Sequence, residues 1–242
     1  MTNFTTGADA LAALNSNNES SNNREFTSIK SGSKFIVRVI DKAAVQMAYS
    51  YGIFKQVNSF VAKEPSIKTP NGFPTDNLTP WDKAYKYHKD KSKDFNDEHG
   101  QEASKYRAKQ RFAMAFFDLD KGEYIIVDLS KKQAQSIATV ISKNESKLGK
   151  KGFELEKVGS GTSTSVMLSP LDLEDLTEKQ RANFDKAPTE FDQTVFNGIW
   201  YEQNEAQMIE LLKQAGFDVS LVGYDNVSST RNENADDEPL PF

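Results

Sequence analysis

Residues 110–129 read QRFAMAFFDLDKGEYIIVDL, and this stretch decides the fold class. Gln110 to Asp118 carries Arg111, Phe112, Met114, Phe116 and Phe117 and reads as a strand. Asp120-Lys121-Gly122 is a tight-turn signal. Glu123 to Leu129 returns as a second strand, so the pair predicts a hairpin. Ser130 follows as a helix cap, and Ala134, Ile137, Ala138 and Ile141 form the apolar stripe of a helix over Lys131–Lys143.

On the C-terminal side, Phe153 to Val158 alternates, Gly159-Ser160-Gly161 turns, and Thr162 to Leu168 comes back as a second hairpin. Beyond Pro170 the chain is acidic and helical. Thr177-Glu178-Lys179-Gln180 fits a capping box. A helix from about Glu205 to Ala215 carries Met208, Ile209, Leu211 and Leu212, with Gly216 suited to its end. On the N-terminal side, Lys34 to Ile40 is a strand with Phe35, Val37 and Val39 on one face and Ile36, Arg38 and Ile40 on the other. Ala48 to Val61 reads as a second, aromatic and basic strand, ended by Pro65 and the turn Pro70-Asn71-Gly72. Residues 64–110 look like a long polar insertion holding a helix start at Thr79-Pro80.

Strands with one mid-domain helix in this order predict a mainly β, α+β domain over residues 26–222. The expected architecture is the OB-fold, a small Greek-key barrel, with a long loop insertion. Residues 1–25 are expected to be a flexible arm, in which Ala8 to Leu14 is long enough for only two helical turns. Residues 223–242 are expected to be a disordered acidic tail.

The chain has 242 residues and no cysteine, which excludes disulfides and thiolate metal sites and suits a reducing cytoplasm. Two histidines, His88 and His99, are too few for a His-rich metal site. No apolar run approaches a membrane span, and Met1-Thr2-Asn3-Phe4-Thr5 does not resemble a signal peptide. No phosphate-binding loop, nucleophile elbow or His-Glu-x-x-His motif is present, so no catalytic activity and no cofactor are expected.

The net charge of −5 hides segregation. Residues 30–112 hold 16 Lys/Arg against 9 Asp/Glu, whereas residues 170–222 hold 4 against 11. A basic stretch on an acidic chain is the footprint of a polyanion binder. Aromatic residues interleave with it in three clusters. The first is Tyr49, Tyr51, Phe54, Lys55, Phe60, Lys63 and Lys68; the second is Trp81, Lys83, Tyr85, Lys86, Tyr87 and Lys89; the third is Tyr106, Arg107, Lys109, Arg111 and Phe112. Lys34 and Arg38 share a strand with aromatics and join the set. Unpaired bases offer flat faces and each nucleotide a phosphate, so a single-strand binder needs stacking rings and spaced cations. The candidate DNA-binding positions among them are Lys34, Arg38, Tyr49, Tyr51, Phe54, Lys55, Phe60, Lys63, Trp81, Tyr85, Lys86, Tyr106, Arg107, Lys109 and Arg111. Phe35, Phe112, Phe116 and Phe117 are expected in the core instead.

The chain closes on Asp236-Asp237-Glu238-Pro239-Leu240-Pro241-Phe242. An acidic run ending in an aromatic that bears the carboxylate is a peptide ligand for a basic-rimmed apolar pocket. It resembles the acidic C-terminal tip of single-stranded-DNA-binding proteins of bacteria and their phages. That resemblance implies recruitment of polymerase, helicase or nuclease partners through Asp236, Asp237, Glu238, Pro241 and Phe242. The order of strands, insertion and Lys131-Lys132 helix is similar, over roughly residues 26–222, to the helix-destabilising proteins of T-even-like phages. This implies non-sequence-specific protection of single-stranded DNA in phage replication, recombination and repair, in the host cytoplasm. That family has a Cys/His zinc site in the insertion and a basic N-terminal segment. This chain has no Cys and only Arg24 in the arm, so no zinc is expected and cooperativity through the arm has no basis. The net −4 tail is expected to compete with DNA, so that a chain ending near Val222 binds more tightly at low salt. The alternatives are an adaptor acting by protein contacts alone, marked by buried Trp81 and Tyr85 and a neutral or acidic surface, and a general RNA-binding OB protein, since stacking and phosphate contacts serve both nucleic acids.

Overall fold

The computed structural model describes residues 25–224, so residues 1–24 of the arm and residues 225–242 of the acidic tail, with its tip, lie outside the described residues. The fold is mixed α/β with mostly antiparallel strands. In chain order the strands are β1 (Lys34–Arg38), β2 (Val45–Ile53), β3 (Val57–Ala62), β4 (Ile67–Lys68), β5 (Pro74–Asp76), β6 (Lys109–Asp118), β7 (Glu123–Ser130), β8 (Gly152–Val158), β9 (Ser165–Leu171) and β10 (Glu202–Gln203). The helices are α1 (Pro80–Lys91), α2 (Glu98–Tyr106), α3 (Lys131–Lys143), α4 (Glu178–Lys186) and α5 (Glu205–Gln214). No closed barrel is found among the described residues. The chain divides into two compact units. Unit 1 holds the residues up to Tyr49 and Gln110–Tyr201, and unit 2 holds Ser50–Lys109 and the residues from Glu202.

In unit 1, β1 lies between β6 and β8, and β7 and β9 flank these partners, all antiparallel. The β6–β7 hairpin forms as its sequence predicts. The buried Asp118 carboxylate accepts from the backbone N–H of Asp120 (2.8 Å) and Lys121 (3.2 Å), which fixes the turn. Gly122 supplies the left-handed φ of 77°. Ser130 caps α3 with a full capping box through Gln133. The alternation in β1 then places both of its faces. Val37 and Val39 enter a core with Met114, Phe116, Ile137 and Leu155, while Ile36 and Ile40 pack beside Phe117, Leu119 and Phe184. The face of β6–β7 bearing Ala113, Ala115 and Ile126 is also covered, by Val195, Phe196 and Ile199. Phe35 and Phe112 lie half-buried against the first core, and Phe116 and Phe117 are buried, as expected of them.

Unit 2 departs from the sequence reading in two ways. Ala48–Val61 is not one strand. The chain reverses at Phe54-Lys55-Gln56, where Lys55 takes a left-handed φ of 63° and Gln56 N–H donates to Ile53 (2.9 Å). The result is a β2–β3 hairpin pairing Tyr51 with Phe60. A lysine in that conformation carries none of the glycine signal by which such turns are read. Residues 64–110, read as a long polar insertion with one helix start, are more ordered than that. They hold the β4–β5 hairpin and two helices. Thr79 caps α1, accepting from Asp82 N–H (3.1 Å), with Pro80 at the first position. Asp97 caps α2, accepting from Gly100 N–H (2.6 Å) and from the N–H groups of Lys93 and Asp94. Those backbone donors, that of Asp94 foremost, hold the Asp97 carboxyl well below the usual carboxylate range. With α5, these elements enclose an aromatic core. Trp81, fully buried, packs edge-on to Phe60 (5.3 Å) and Tyr106 (5.8 Å) and donates its indole N–H to Met208 O (3.0 Å).

Candidate nucleic-acid interface

The fold redistributes the candidate residues. Tyr51, Phe60, Trp81, Tyr85 and Tyr106 all lie in the interior of unit 2, none more than 7% exposed. Here the reading of them as stacking faces is corrected. Removing a Trp or Phe from a core costs about 3–5 kcal/mol, against ~1–3 kcal/mol gained by stacking on one base, so burial wins. Sequence alternation located these rings but not which of them face one another.

Tyr51 has a further role. Its hydroxyl and that of Ser66 each donate to Oδ2 of Asp82 at 2.6 Å, and Lys68 pairs with the same oxygen. The Lys68 and Asp82 side chains are 2% and 1% exposed, so this is a fully buried ion pair. Burial, then the Asp82 charge, pushes the Tyr51 phenol up, so it stays protonated as a donor. The network pins β4 to α1 and to β2. A cavity of about 660 Å³ lies beside it, where the starts of α1 and α5 meet, with Lys63 among its walls.

Several predicted cations in unit 1 are engaged. Lys34 pairs with Glu154 (3.0 Å) and Glu156 (3.7 Å), and Arg111 forks onto Asp128 through Nε (2.8 Å) and Nη2 (2.7 Å). Arg38 donates to Phe184 O (2.7 Å) and lies over the Phe184 ring at 4.5 Å; burial lowers its pKa. None of the three offers a bare charge to a phosphate. Tyr49 is half-buried and its hydroxyl accepts from Gln110 Nε2 (3.1 Å). Nor does either unit keep the basic excess of residues 30–112. Among the described residues, unit 1 has 16 Lys/Arg and 16 Asp/Glu, and unit 2 has 12 of each.

What stays at the surface is concentrated in unit 2. Phe54 at the β2–β3 tip is 89% exposed, with Lys55 Nζ 5.5 Å from its ring centroid. Lys63, Lys86 and Lys109 are exposed and make no ion pair among the described residues. On the β4–β5 hairpin, Lys68 turns inward, so its neighbour Ile67 turns outward and is 53% exposed. Phe73, 42% exposed, has the guanidinium of Arg107 over its ring at 4.8 Å. The sequence reading missed Phe73 and Ile67, having taken Pro70-Asn71-Gly72 only as a terminator. An aromatic directly after that turn glycine was the available signal.

No group of three or more metal-ligating side chains and no helix long and apolar enough to cross a membrane occurs among the described residues. Comparison of the chain with known protein families, with curated proteins and with solved structures finds no match.

Proposed function

We propose that the chain binds single-stranded DNA without strong sequence preference, using the surface of unit 2. The observation that carries this reading is the Phe73–Arg107 pair, a ring 42% exposed with a guanidinium over it at 4.8 Å. A base can stack on such a ring while the guanidinium reaches the adjoining phosphate. Phe54 with Lys55 repeats the combination at a second hairpin. Unit 1 supports an open variant of the OB architecture. Its β1 pairs with both β6 and β8, β7 follows β6, α3 separates β7 from β8, and β9 completes the order. In that architecture the loop between the first two strands is a nucleic-acid-binding element, and here residues 50–109 of unit 2 occupy that place in the chain. Protection of single strands in phage replication, recombination and repair, and recruitment of replication proteins through Asp236–Phe242, belong to the same proposal.

The test is fluorescence anisotropy of a labelled oligonucleotide against the full chain, with single-stranded DNA, RNA and duplex DNA compared over a salt series. Tight, salt-sensitive binding of single strands that Phe73→Ala and Arg107→Ala both weaken supports the reading. Absence of binding at low salt by a folded protein overturns it. A second reading, an adaptor acting by protein contacts alone, is favoured by buried Trp81 and Tyr85 and by the charge balance of each unit. It predicts that null result together with capture of a partner by the C-terminal peptide.

A further inference from the structure

The two histidines of the chain face each other. His88 on α1 and His99 on α2 place their Nδ1 atoms 3.0 Å apart. Neither residue belongs to the surface described above. A nitrogen–nitrogen hydrogen bond of this length needs one Nδ1–H and one Nδ1 lone pair. It exists when both rings are neutral, and it survives one added proton, which enters at the donor ring's Nε2. A second proton must enter at the acceptor Nδ1. That sets N–H against N–H and two cations against each other at contact distance, and the bond is lost.

Packing makes this contact matter to its neighbours. The His88 ring stacks on Tyr106 (5.7 Å, 14°) and meets Phe217 (5.7 Å) and Tyr87 (5.2 Å) edge-on. Tyr106 is the last residue of α2, 3% exposed, and the next residue is Arg107, whose N–H closes the helix on Ala103 O (3.2 Å). A short chain of contacts therefore leads from the imidazole pair through Tyr106 to Arg107 and the Phe73 ring. The charged and titratable groups acting on His88 are few. Tyr87 and Lys91 come from α1, Glu102, Lys105 and Tyr106 from α2, and Phe217 beyond α5 adds no charge. Glu102 is bound to Lys105, so its charge is already partnered on α2.

We propose that the His88–His99 pair is an acid-sensitive latch that holds α2 against α1, and that its double protonation loosens α2 and Arg107 and so weakens binding at the Phe73 surface. The second half rests on the function proposed above; the first does not. Burial foremost, and then His99, lowers the His88 pKa from its ordinary 6.5. The unfolded chain therefore takes up this proton first as pH falls. The stability contributed by neutral His88 is complete above about pH 6.5 and is lost below it.

Two measurements on the full chain test this. Backbone hydrogen exchange, expressed as protection factors, should show Glu98–Tyr106 losing at least tenfold protection between pH 7.5 and 5.5, while α3 loses less than twofold. His99→Asn and, separately, His88→Asn should remove that pH dependence. Two variants are used so that the failure of one to fold leaves the other. Protection that is unchanged with pH, or that falls equally in both variants, overturns the latch. Binding of a single-stranded oligonucleotide at constant ionic strength should weaken several-fold over the same pH interval in the natural chain and not in the variants. Binding that weakens equally in all three, or is absent at both pH values, overturns the coupling to the surface, and hydrogen exchange then decides the latch alone.

Discussion

Tyr51 donates its phenolic proton to Oδ2 of Asp82 at 2.6 Å in the interior of unit 2. The same oxygen receives Ser66 and the Lys68 ammonium, while Oδ1 of Asp82 is buried without a hydrogen-bond partner. All the compensation for a buried carboxylate therefore arrives on one side. Removing the cation leaves that charge short of its largest offset, whereas removing a neutral donor leaves the ion pair intact. Lys68→Met is expected to destabilise the protein by about 3–5 kcal/mol and Tyr51→Phe by about 1–2 kcal/mol, read from urea midpoints. Equal effects of the two variants would show that Lys68 is not the main counter-charge.

Trp81 and Trp200 are the two tryptophans of the chain. Trp81 is fully buried in unit 2, whereas Trp200 is half-buried in unit 1, edge-on to Phe26 and donating to Gln46 (2.7 Å). In Trp200→Phe the remaining emission should be blue-shifted, resistant to acrylamide, and unchanged on adding a single-stranded oligonucleotide that demonstrably binds. Quenching of that signal would mean that Trp81 leaves the core to stack on a base.

The features legible in the sequence are those that neighbours along the chain dictate. Ser130 with Gln133, Thr177 with Gln180, and Thr79 before Pro80 are caps whose partners lie three residues away or less, and each forms. The β6–β7 hairpin was readable for the same reason. What escaped is set by residues far apart. Tyr51 is thirty-one residues from Asp82, and Trp81 is 127 from the carbonyl it binds, so nothing local marks either as interior. The engagement of Lys34, Arg38 and Arg111 is likewise set at long range. Lys34 sits opposite Glu156 in β8 and pairs with it and with Glu154, which a count of charge along residues 30–112 does not reveal. Only Phe54 and Lys55 of the aromatic-basic set keep both members of a ring–cation pair exposed.

If the unit 2 surface binds single strands, its residues should divide by the kind of energy they supply. Phe73→Ala should weaken binding by about 1–3 kcal/mol with little change in salt dependence, since stacking releases no counterion. Arg107→Ala should reduce the slope of log K against log salt by roughly 0.7, one phosphate contact on a single strand. Arg111→Ala should leave the slope unchanged, because that guanidinium is held by Asp128. A loss of slope in Arg111→Ala would place the strand on unit 1.

Gly100 offers a last and sharper check, because steric contact alone fixes its outcome. It stands in the first turn of α2, where its N–H binds the Asp97 cap. A methyl group built on it falls 2.4 Å from Asp94 O and 2.6 Å from Phe95 O. These are backbone atoms of the turn that Asp97 also ties down, so they cannot move aside without breaking the cap. Alanine is the better helix former by about 1 kcal/mol, but overpacking of this kind costs about 1–3 kcal/mol or more. Gly149 is the matched control, with nothing within 4 Å of the added carbon. Gly149→Ala should be neutral or stabilising by up to about 1 kcal/mol. Gly100→Ala should lower the melting temperature and the hydrogen-exchange protection of α2 at pH 7.5, where the histidine pair is closed. A Gly100→Ala protein as stable as the natural chain would mean that the Lys93–Asp97 turn does not close on α2 as described.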